Sequence, residues 1–426
     1  MLQVNYIRDN REQVLERLAV KNFKQPELVD EIISLDKERR RLQTSSEELQ
    51  AKANAEAKKI GELMKGGQKD EAEKLKAYTT ELRETIKVNT TELTAIEENL
   101  QQKIVLLPNL PHSSVPKGLT PEENEIVLEN GAKPELPANA LPHWELAAKY
   151  DLIDFELGVK ITGAGFPVYK GKGAKLQRAL IAFFLDEAEK AGYNEVIPPL
   201  VVNEASGFGT GQLPDKEGQM YFVNQDGLYL IPTAEVPITN LYRDVILKAD
   251  ELPVRNCGYT PCFRREAGSY GAHVRGLNRL HQFDKVEIVQ VVNPETSYNV
   301  LEDMSAHVQG LLQKLGLPYR VLRLCGGDMG FASALTYDME TWSAAQQRWL
   351  EVSSVSNFET FQSNRLKLRF KNAEGKTQLA HTLNGSALAL PRIVATLLEN
   401  NQTENGIKIP EALVPYTRFE WIGEEN

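Results

Sequence analysis

The feature that most constrains the fold of this chain is a long stretch of apolar residues at heptad spacing. Over residues 27–105 an apolar residue recurs at seven-residue intervals, often with a second one four positions later. This is the a/d pattern of a coiled coil, sustained over several heptads in two successive runs. The first run comprises Leu28, Ile32, Leu35, Leu42, Leu49, Ala53, Ile60 and Leu63. The second comprises Leu75, Leu82, Ile86, Leu93, Ile96 and Leu100, with the polar Asn89 at one heptad position.

Two glycines, Gly66 and Gly67, separate the runs. Glycine accepts the left-handed backbone that a tight reversal requires, so the pattern predicts an antiparallel helical hairpin. Each helix of about 38 residues would extend about 55 Å. Two interpretations stay open: a dimerisation or spacer coil with solvated charges, or an arm whose basic residues contact phosphates. Those basic residues are Lys37, Arg39, Arg40, Arg41, Lys58 and Lys59.

The remainder of the chain has a different pattern of residues. A Pro- and Gly-rich stretch over residues 107–142 indicates a linker or the start of a core, and an amphipathic helix is predicted over 174–191. Short apolar strands follow at 196–197, 228–231, 286–291, 320–324 and 349–352. This alternation predicts an α+β fold with helices packed on an antiparallel sheet. We therefore expect an N-terminal helical arm (1–106), the linker (107–142) and a larger domain (143–426).

Composition limits the class of protein. The chain has 42% hydrophobic and 25% charged residues, as globular proteins do, and its net charge of −10 argues against general coating of nucleic acid. No apolar run reaches the roughly 18 residues of a membrane helix, and the first residues predict no signal peptide. The scattered Cys257, Cys262 and Cys325 predict neither disulfides nor a zinc site. We expect a cytoplasmic protein without a membrane partner.

Two segments combine arginine with residues suited to a nucleotide. The segment 260–266 contains Arg264 and Glu266, and Phe283 follows in a second segment, 279–287. If the segments are paired strands, the arginine can bind phosphate oxygens and the ring can cover a base. The alternative is an arginine that only pairs with Glu266 in the sheet.

Two further segments add small residues and carboxylates. In the segment 384–392 small residues precede Pro391, where a helix should begin, and Arg392 would lie in its first turn near the positive helix end. A solvent-facing arginine is the alternative. The segments 233–235 and 351–354 carry carboxylates that could pair structurally or hold an amine or Mg²⁺.

Together these segments resemble the motifs of class II aminoacyl-tRNA synthetases. Residues 174–200 resemble motif 1, residues 260–287 motif 2, and residues 384–398 motif 3. The stretches 209–214, 231–237 and 281–287, with the N-terminal hairpin, are similar to the serine-specific family, the seryl-tRNA synthetases. The chain departs from that family at Ala387 and Pro391, where glycine is frequent, and at Tyr270 and His273 in the motif 2 loop.

The resemblance implies that the chain activates L-serine with ATP and transfers it to tRNA. It assigns the catalytic role to Arg264, Glu266 and Arg392. The implied serine-binding residues are Thr233, Ala234, Glu235, Arg264, Glu287, Asn384 and Ser386. The implied ATP-binding residues are Arg264, Arg265, Glu266, Arg279, Phe283, Lys285, Glu351, Val352, Ser353, Ser354 and Arg392. Mg²⁺ would be held by Glu351 and Ser354, and no zinc is expected.

The resemblance also implies the partners. The hairpin would read the long variable arm of serine tRNA, and the substrates can include selenocysteine tRNA. Only 34 residues follow Arg392, which is too few for the anticodon-binding domain of related families, so the tRNA contact is expected in the arm. Motif 1 implies a homodimer. Two other functions remain open: loading of an amino acid onto a carrier protein, and a coiled-coil scaffold with an inactive ligase domain.

Overall fold

The structure is a computed structural model that describes residues 1–215, 218–266 and 274–423. Tyr270 and His273, named above in the motif 2 loop, lie outside these residues. The chain divides into two compact units. The first comprises Met1–Ala19 and Phe23–Pro108, and the second comprises Val20–Asn22 and the described residues from Asn109 onward.

The first unit is helical. Its elements are α1 (Val4–Asp9), α2 (Arg11–Val20), α3 (Glu27–Lys65) and α4 (Lys69–Ile104). The helices α3 and α4 are antiparallel: Asn89 Nδ2 lies 3.3 Å from Ser45 Oγ in mid-hairpin, and Lys103 Nζ lies 2.5 Å from Glu31 Oε2 at its base. Gly67 between the helices has φ of 78°. The predicted helical hairpin is confirmed.

The heptad residues line the contact between α3 and α4. The buried ones are Leu28, Ile32, Leu42 and Ala53 on α3 and Leu82 and Leu100 on α4. Asp36 of α3 is also fully buried although it is a carboxylate, and Arg8 of α1 with Arg39 and Arg40 of α3 pairs with it at 2.8–3.1 Å. Burial opposes its ionisation, but hydrogen bonds from Arg39 and Arg8 outweigh that effect and lower the pKa of Asp36.

The second unit contains the other elements. Its helices are α5 (His143–Lys149), α6 (Phe155–Ile161), α7 (Gly171–Lys190), α8 (Glu204–Thr210), α9 (Glu235–Asn240), α10 (Ser297–Lys314), α11 (Thr360–Leu366), α12 (Leu390–Asn400) and α13 (Val414–Thr417). Its strands are β1 (Glu125–Asn130), β2 (Ile153–Asp154), β3 (Val168–Tyr169), β4 (Asn194–Glu195), β5 (Val201–Val202), β6 (Phe222–Val223), β7 (Leu228–Leu230), β8 (Ile246–Leu247), β9 (Val254–Phe263), β10 (Gln282–Val292), β11 (Tyr319–Arg323), β12 (Leu335–Ser343), β13 (Arg348–Asn357), β14 (Arg369–Lys371), β15 (Thr377–Leu379), β16 (His381–Ala389), β17 (Gln402–Thr403), β18 (Gly406–Lys408) and β19 (Trp421–Ile422).

The principal sheet has eight strands in the order β1-β11-β12-β13-β16-β10-β9-β4. Its pairings are antiparallel except for the parallel pair of β4 and β9. The edge strand β1 lies in the segment that the sequence indicated as linker or start of the core. The predicted α+β class is confirmed. In the described ranges the helices are all too short or too polar to cross a membrane.

The two faces of this sheet have different neighbours. Alternate residues of a strand point to opposite faces, and Val286 and Ile288 of β10 pack in the main core with Leu180 and Phe184 of α7. Val289 instead contacts a small cluster that includes Ile238 of α9. The predicted apolar stripe of α7 is therefore buried against one face of the sheet. Helices α9 and α11 lie on the opposite face.

Candidate functional site

The face of the sheet toward α9 carries polar residues. Along β10 this face presents Lys285, Glu287 and Val289, since alternate residues share a face. On β16, Ser386 is opposite Glu287 and Asn384 is opposite Val289. Directly opposed residues of antiparallel strands point to the same side. Four polar residues predicted by resemblance therefore meet on one surface.

The segment before α9 completes a buried polar cluster. Lys285 Nζ lies 2.7 Å from Glu287 Oε2 and donates a hydrogen bond of 3.0 Å to Thr233 Oγ1. Thr233 in turn donates to Glu287 Oε2 at 3.4 Å. These three residues are at most 5% exposed. Lys285, implied above as an ATP ligand, thus lies beside the residues implied for serine.

Glu235, the first residue of α9, is a second buried carboxylate in this cluster. Burial and the nearby charge of Glu287 raise its pKa to about 7, although a hydrogen bond from Gln362 and the ammonium of Lys285 favour the ionised form. The Asn384 amide also lies close enough to Glu235 to favour the ionised form of that carboxyl. Asn384 Nδ2 is nevertheless buried, and no described group meets the geometry of a hydrogen bond with it. An amide donor without a partner beside two carboxylates suits a small polar ligand.

Arg264 lies just beyond the end of β9. Its Nε donates a hydrogen bond of 3.3 Å to the carbonyl oxygen of Pro232, and its guanidinium lies 5.3 Å from the centroid of the Phe283 ring. Phe283 is opposite Cys262 in the antiparallel pairing of β9 and β10, so the two segments are paired strands, as the nucleotide interpretation assumed. Glu266 pairs with Arg279 and not with Arg264. The alternative interpretation, in which Arg264 only pairs with Glu266, is therefore wrong.

Arg392 lies in the first turn of α12, with Pro391 before it. Its Nη1 donates to the carbonyl oxygen of Glu351 at 2.8 Å and lies 3.6 Å from Glu351 Oε2. Its Nε donates to the carbonyl oxygen of Asn278 at 3.0 Å. The guanidinium is thus held between β13 and the segment that follows the motif 2 loop.

A β-bulge determines how Glu351 and Ser354 are presented. Residues three apart on a regular strand point to opposite faces. Here Glu351 is opposite Glu340 and Ser354 is opposite Asp338, with Val352 as the extra residue. Because 338 and 340 share a face of β12, the bulge brings Glu351 and Ser354 to that same face.

The surroundings of Ser354 are acidic. Its hydroxyl donates to Asp338, a buried carboxylate whose pKa is raised by burial and by repulsion from Glu351. Within the described ranges, no three His, Cys, Asp or Glu side chains are grouped to hold a metal ion. Oxygen donors of one or two side chains, with the rest from water and substrate phosphates, are nevertheless what Mg²⁺ usually takes.

The other predicted residues are placed in supporting positions. The Arg265 backbone donates to the carbonyl oxygen of Gln219 at 2.8 Å. Ser353 Oγ donates to the carbonyl oxygen of Ser386 at 2.6 Å. Ala234 and Val352 are buried, with Val352 in the main core. Their contribution to a ligand would have to come from the backbone.

Sequence reasoning missed a buried histidine that supports the Arg392 contact. His143 Nδ1 lies 2.7 Å from Glu399 Oε1, and its Nε2 accepts a hydrogen bond of 2.9 Å from the Leu277 backbone N–H. Because Nε2 accepts, Nδ1 carries the ring proton. The next residue, Asn278, supplies the carbonyl that binds Arg392. No local motif marks His143, since Glu399 is 256 residues away.

Comparison with known proteins assigns this arrangement to a class. The family model of the class II tRNA synthetase core domain (G, H, P, S and T) matches residues 221–401, which include Arg264, Phe283 and Arg392. The fold and the site thus define a class II aminoacyl-tRNA synthetase. The model of the seryl-tRNA synthetase N-terminal domain matches residues 1–111.

Full-length relatives specify the family. The serine–tRNA ligase of Salinibacter ruber is 50% identical over 100% of both chains. The crystal structure of seryl-tRNA synthetase from Pyrococcus horikoshii complexed with ATP has a TM-score of 0.94 and 33% identity over 100% of both chains. That of the cytoplasmic enzyme of Naegleria fowleri with AMP has a TM-score of 0.89 and 26% identity over 100% of this chain and 99% of that one. The chain belongs to the seryl-tRNA synthetase family and is an ATP-dependent aminoacyl-tRNA ligase.

Proposed function

We propose that this chain activates serine on the sheet face beside α9 and then transfers it to tRNA. In the first step a serine carboxylate oxygen forms a bond to the α-phosphorus of ATP while the bond to pyrophosphate breaks. In the second, the terminal tRNA hydroxyl attacks the seryl carbonyl and AMP leaves. The observation that carries the proposal is that the buried Lys285 and Glu287, which Thr233 contacts from the segment before α9, lie on the strand that also presents Phe283 beside Arg264.

The arginines would bind the phosphates. The serine carboxylate is already ionised and needs no base, so the reaction depends on positioning and on stabilising negative charge at phosphate oxygens. Arg264 would bind the α-phosphate and Arg392 the γ-phosphate, while Phe283 stacks on adenine. Arg279 and Glu266, which pair with each other, would face the adenine or the tRNA end. Arg265 and the backbone of 352–353 would complete the nucleotide site.

The buried carboxylates would select serine. Glu235 and Glu287 offer negative charge to the ammonium, and Thr233, Asn384 and Ser386 offer hydrogen-bond partners to the small polar substrate. Asn384 Nδ2 lacks a partner among the described residues, which supports a ligand there. Alanine would leave such groups unpaired, and a site built for a hydroxyl rejects an analogue that lacks it.

Glu351 and Ser354 would hold Mg²⁺, with Asp338 hydrogen-bonded to the Ser354 hydroxyl. When bound, the ion would neutralise phosphate charge. The three oxygen-bearing side chains share one face of β12 and β13, and their acidic surroundings fit a hard cation.

The helical hairpin of α3 and α4 would bind the long variable arm of serine tRNA. Its separation into its own compact unit supports a division of labour between tRNA recognition and serine activation. The free, buried thiols of Cys257, Cys262 and Cys325 fit a reducing compartment such as the cytoplasm. A homodimer formed through the motif 1 region is part of the same proposal.

Pyrophosphate exchange tests both parts of the proposal. Exchange between ATP and pyrophosphate should require serine and should be much weaker with alanine or threonine. A variant lacking residues 30–100 should retain exchange and lose transfer to tRNA. Exchange without serine dependence would contradict the serine site. Equal loss of both steps in a folded deletion variant would contradict the division of labour.

A further inference from the structure

We propose that Gln362 of α11 is a positioning residue of the serine pocket, which holds the Glu235 carboxylate and joins it to the turn after α8. The inference rests on the proposed function, because it takes Glu235 as part of the serine site. Gln362 lies in none of the motifs that the sequence indicated. It is 1% exposed.

The Gln362 side chain uses both of its polar ends. Its Nε2 donates a hydrogen bond of 2.6 Å to Glu235 Oε1 and another of 3.1 Å to the carbonyl oxygen of Thr210. Its Oε1 accepts a hydrogen bond of 2.7 Å from Thr382 Oγ1. The amide therefore joins α9, the end of α8 and strand β16.

These partners leave the amide one orientation. A backbone carbonyl only accepts hydrogen bonds, so the Thr210 carbonyl requires Nε2 on that side. The oxygen then faces Thr382, whose hydroxyl donates to it. Glu235 consequently receives an N–H and not a lone pair, which is the arrangement that an ionised carboxylate requires.

Fixing Glu235 in this way matters because its surroundings otherwise oppose its charge. Burial and the Glu287 carboxylate both favour the protonated form, whereas Gln362, Lys285 and Asn384 favour the ionised form. Gln362 holds one carboxylate oxygen, Oε1, and Oε2 is the oxygen that we assign to the serine ammonium. A negative, oriented oxygen would bind the serine ammonium; a protonated or rotated one would not.

A second residue of α11 supports the same turn. Arg365 Nη1 donates to the carbonyl oxygens of Phe208 at 3.1 Å and Leu213 at 2.9 Å. With Gln362 on Thr210, three carbonyls of the 208–213 segment are held by one short helix. The stretch 209–214, singled out in the sequence, is thus connected to the pocket through α11.

The test replaces Gln362 by methionine, which has a similar length and no hydrogen bonds. Gln362→Met should raise the KM for serine about tenfold or more, as loss of a buried hydrogen bond to a charged group does. The KM for ATP and the kcat of adenylation should stay within about twofold. Ser363→Ala is the matched control, since Ser363 is equally buried on α11 but its hydroxyl donates to the backbone carbonyls of Thr360 at 3.2 Å and Ala380 at 2.6 Å.

A pair of variants at Thr382 tests the same inference independently, in case the Gln362 variant does not fold. Thr382→Val removes the hydrogen bond to the amide oxygen of Gln362 and should raise the serine KM in the same direction. Thr382→Ser keeps the hydroxyl and should leave the serine KM close to that of the parent. Equal changes in the serine and ATP constants, reproduced by Ser363→Ala, would mean a general structural role and would overturn the inference.

Glu235→Gln separates this inference from the proposed function. If Glu235→Gln raises the serine KM and neither Gln362→Met nor Thr382→Val does, the positioning role is wrong and the pocket stands. If Glu235→Gln leaves the serine KM unchanged as well, the assignment of the serine pocket itself is wrong.

Discussion

Arg264 is the residue on which the proposed chemistry depends most. Its guanidinium is held by the Pro232 carbonyl and lies beside Phe283, so its position is set before substrate arrives. Arg264→Ala should lower the rate of adenylate formation by roughly 10²–10³-fold, the usual effect of removing one donor to developing charge. Arg264→Lys keeps the charge but loses the planar pair of donors, so it should recover only part of the rate.

Pre-steady-state measurement of adenylate formation distinguishes this effect from weaker substrate binding. The rate at saturating serine and ATP should fall, with smaller changes in apparent affinity. A rate for Arg264→Ala within a factor of two of the parent would show that the phosphate-binding strand has been assigned incorrectly.

His381, at the start of β16, gives the protein an acid-sensitive core residue. Its ring is buried beside the Ser297 hydroxyl, 2.7 Å from Nδ1, and burial lowers its pKa from 6.5 to about 4. A group whose pKa is lowered on folding contributes stability above its unfolded pKa and loses it as pH falls. Between pH 7 and pH 4 the loss from this group should be about 3 kcal/mol.

Urea unfolding followed by tryptophan fluorescence measures this loss in the second unit, because all four tryptophans, at 144, 342, 349 and 421, belong to it. His381→Gln keeps a polar side chain that does not titrate. Its free energy of unfolding should fall less than that of the parent between pH 7 and pH 4. Parallel curves for the two proteins would refute the assignment.

At the scale of single elements, the arginines of α3 divide into two groups. Arg39 and Arg40 pair with the buried Asp36, so replacing them would disturb the packing of α1 on α3. Arg41 has a side chain that is 61% exposed, and among the described residues it forms an ion pair with Glu38 alone, three residues earlier. Arg41 is therefore the appropriate residue for testing a contact with RNA phosphates.

Arg41→Ala should weaken tRNA binding and reduce the slope of log K against log salt by roughly 0.7–0.9, the contribution of one phosphate contact. Lys76→Ala is a suitable control, because Lys76 forms the same kind of pair with Glu73 at 2.8 Å on α4. Identical slopes for the parent and Arg41→Ala would indicate that this part of α3 is a solvated face.

For the whole molecule, the exposed apolar residues after α7 form the surface that the proposed homodimer would use. Ile197 is 88% exposed and lies with Leu200 in the predicted motif 1 region, and the exposed Val201 follows directly. Exposed apolar residues grouped in this way are typical of an interaction surface. Val88 on α4 is 55% exposed. It tests the alternative interpretation, because a hairpin that dimerised as a coiled coil would bury it.

Sedimentation should therefore show that Ile197→Asp converts a dimer to a monomer at micromolar concentration, while Val88→Asp leaves the dimer intact. The reverse result would favour the interpretation of the hairpin as a dimerisation coil. A parent protein that sediments as a monomer would contradict both.

The sequence alone determined the features that depend on neighbours in the chain. Heptad spacing and two glycines predicted α3 and α4 to within a few residues, because coiled-coil helices are specified by a local repeat. The strands at 228–231, 286–291, 320–324 and 349–352 were also located, although their ends were not. Arg264, Phe283 and Arg392 were singled out because each belongs to a short, distinctive segment, and their roles stay predictions.

Only the tertiary structure decided which distant residues meet. Gln362 and Glu235 are 127 residues apart, and the bond between them exists because α11 and α9 pack on the same sheet face. The bulge at Val352 reverses the expected facing of Ser354 relative to Glu351, and Asp36 is buried because α1 covers it. Sequence periodicity reports which side of an element is apolar; partners and register follow from how separate elements pack, which no local pattern contains.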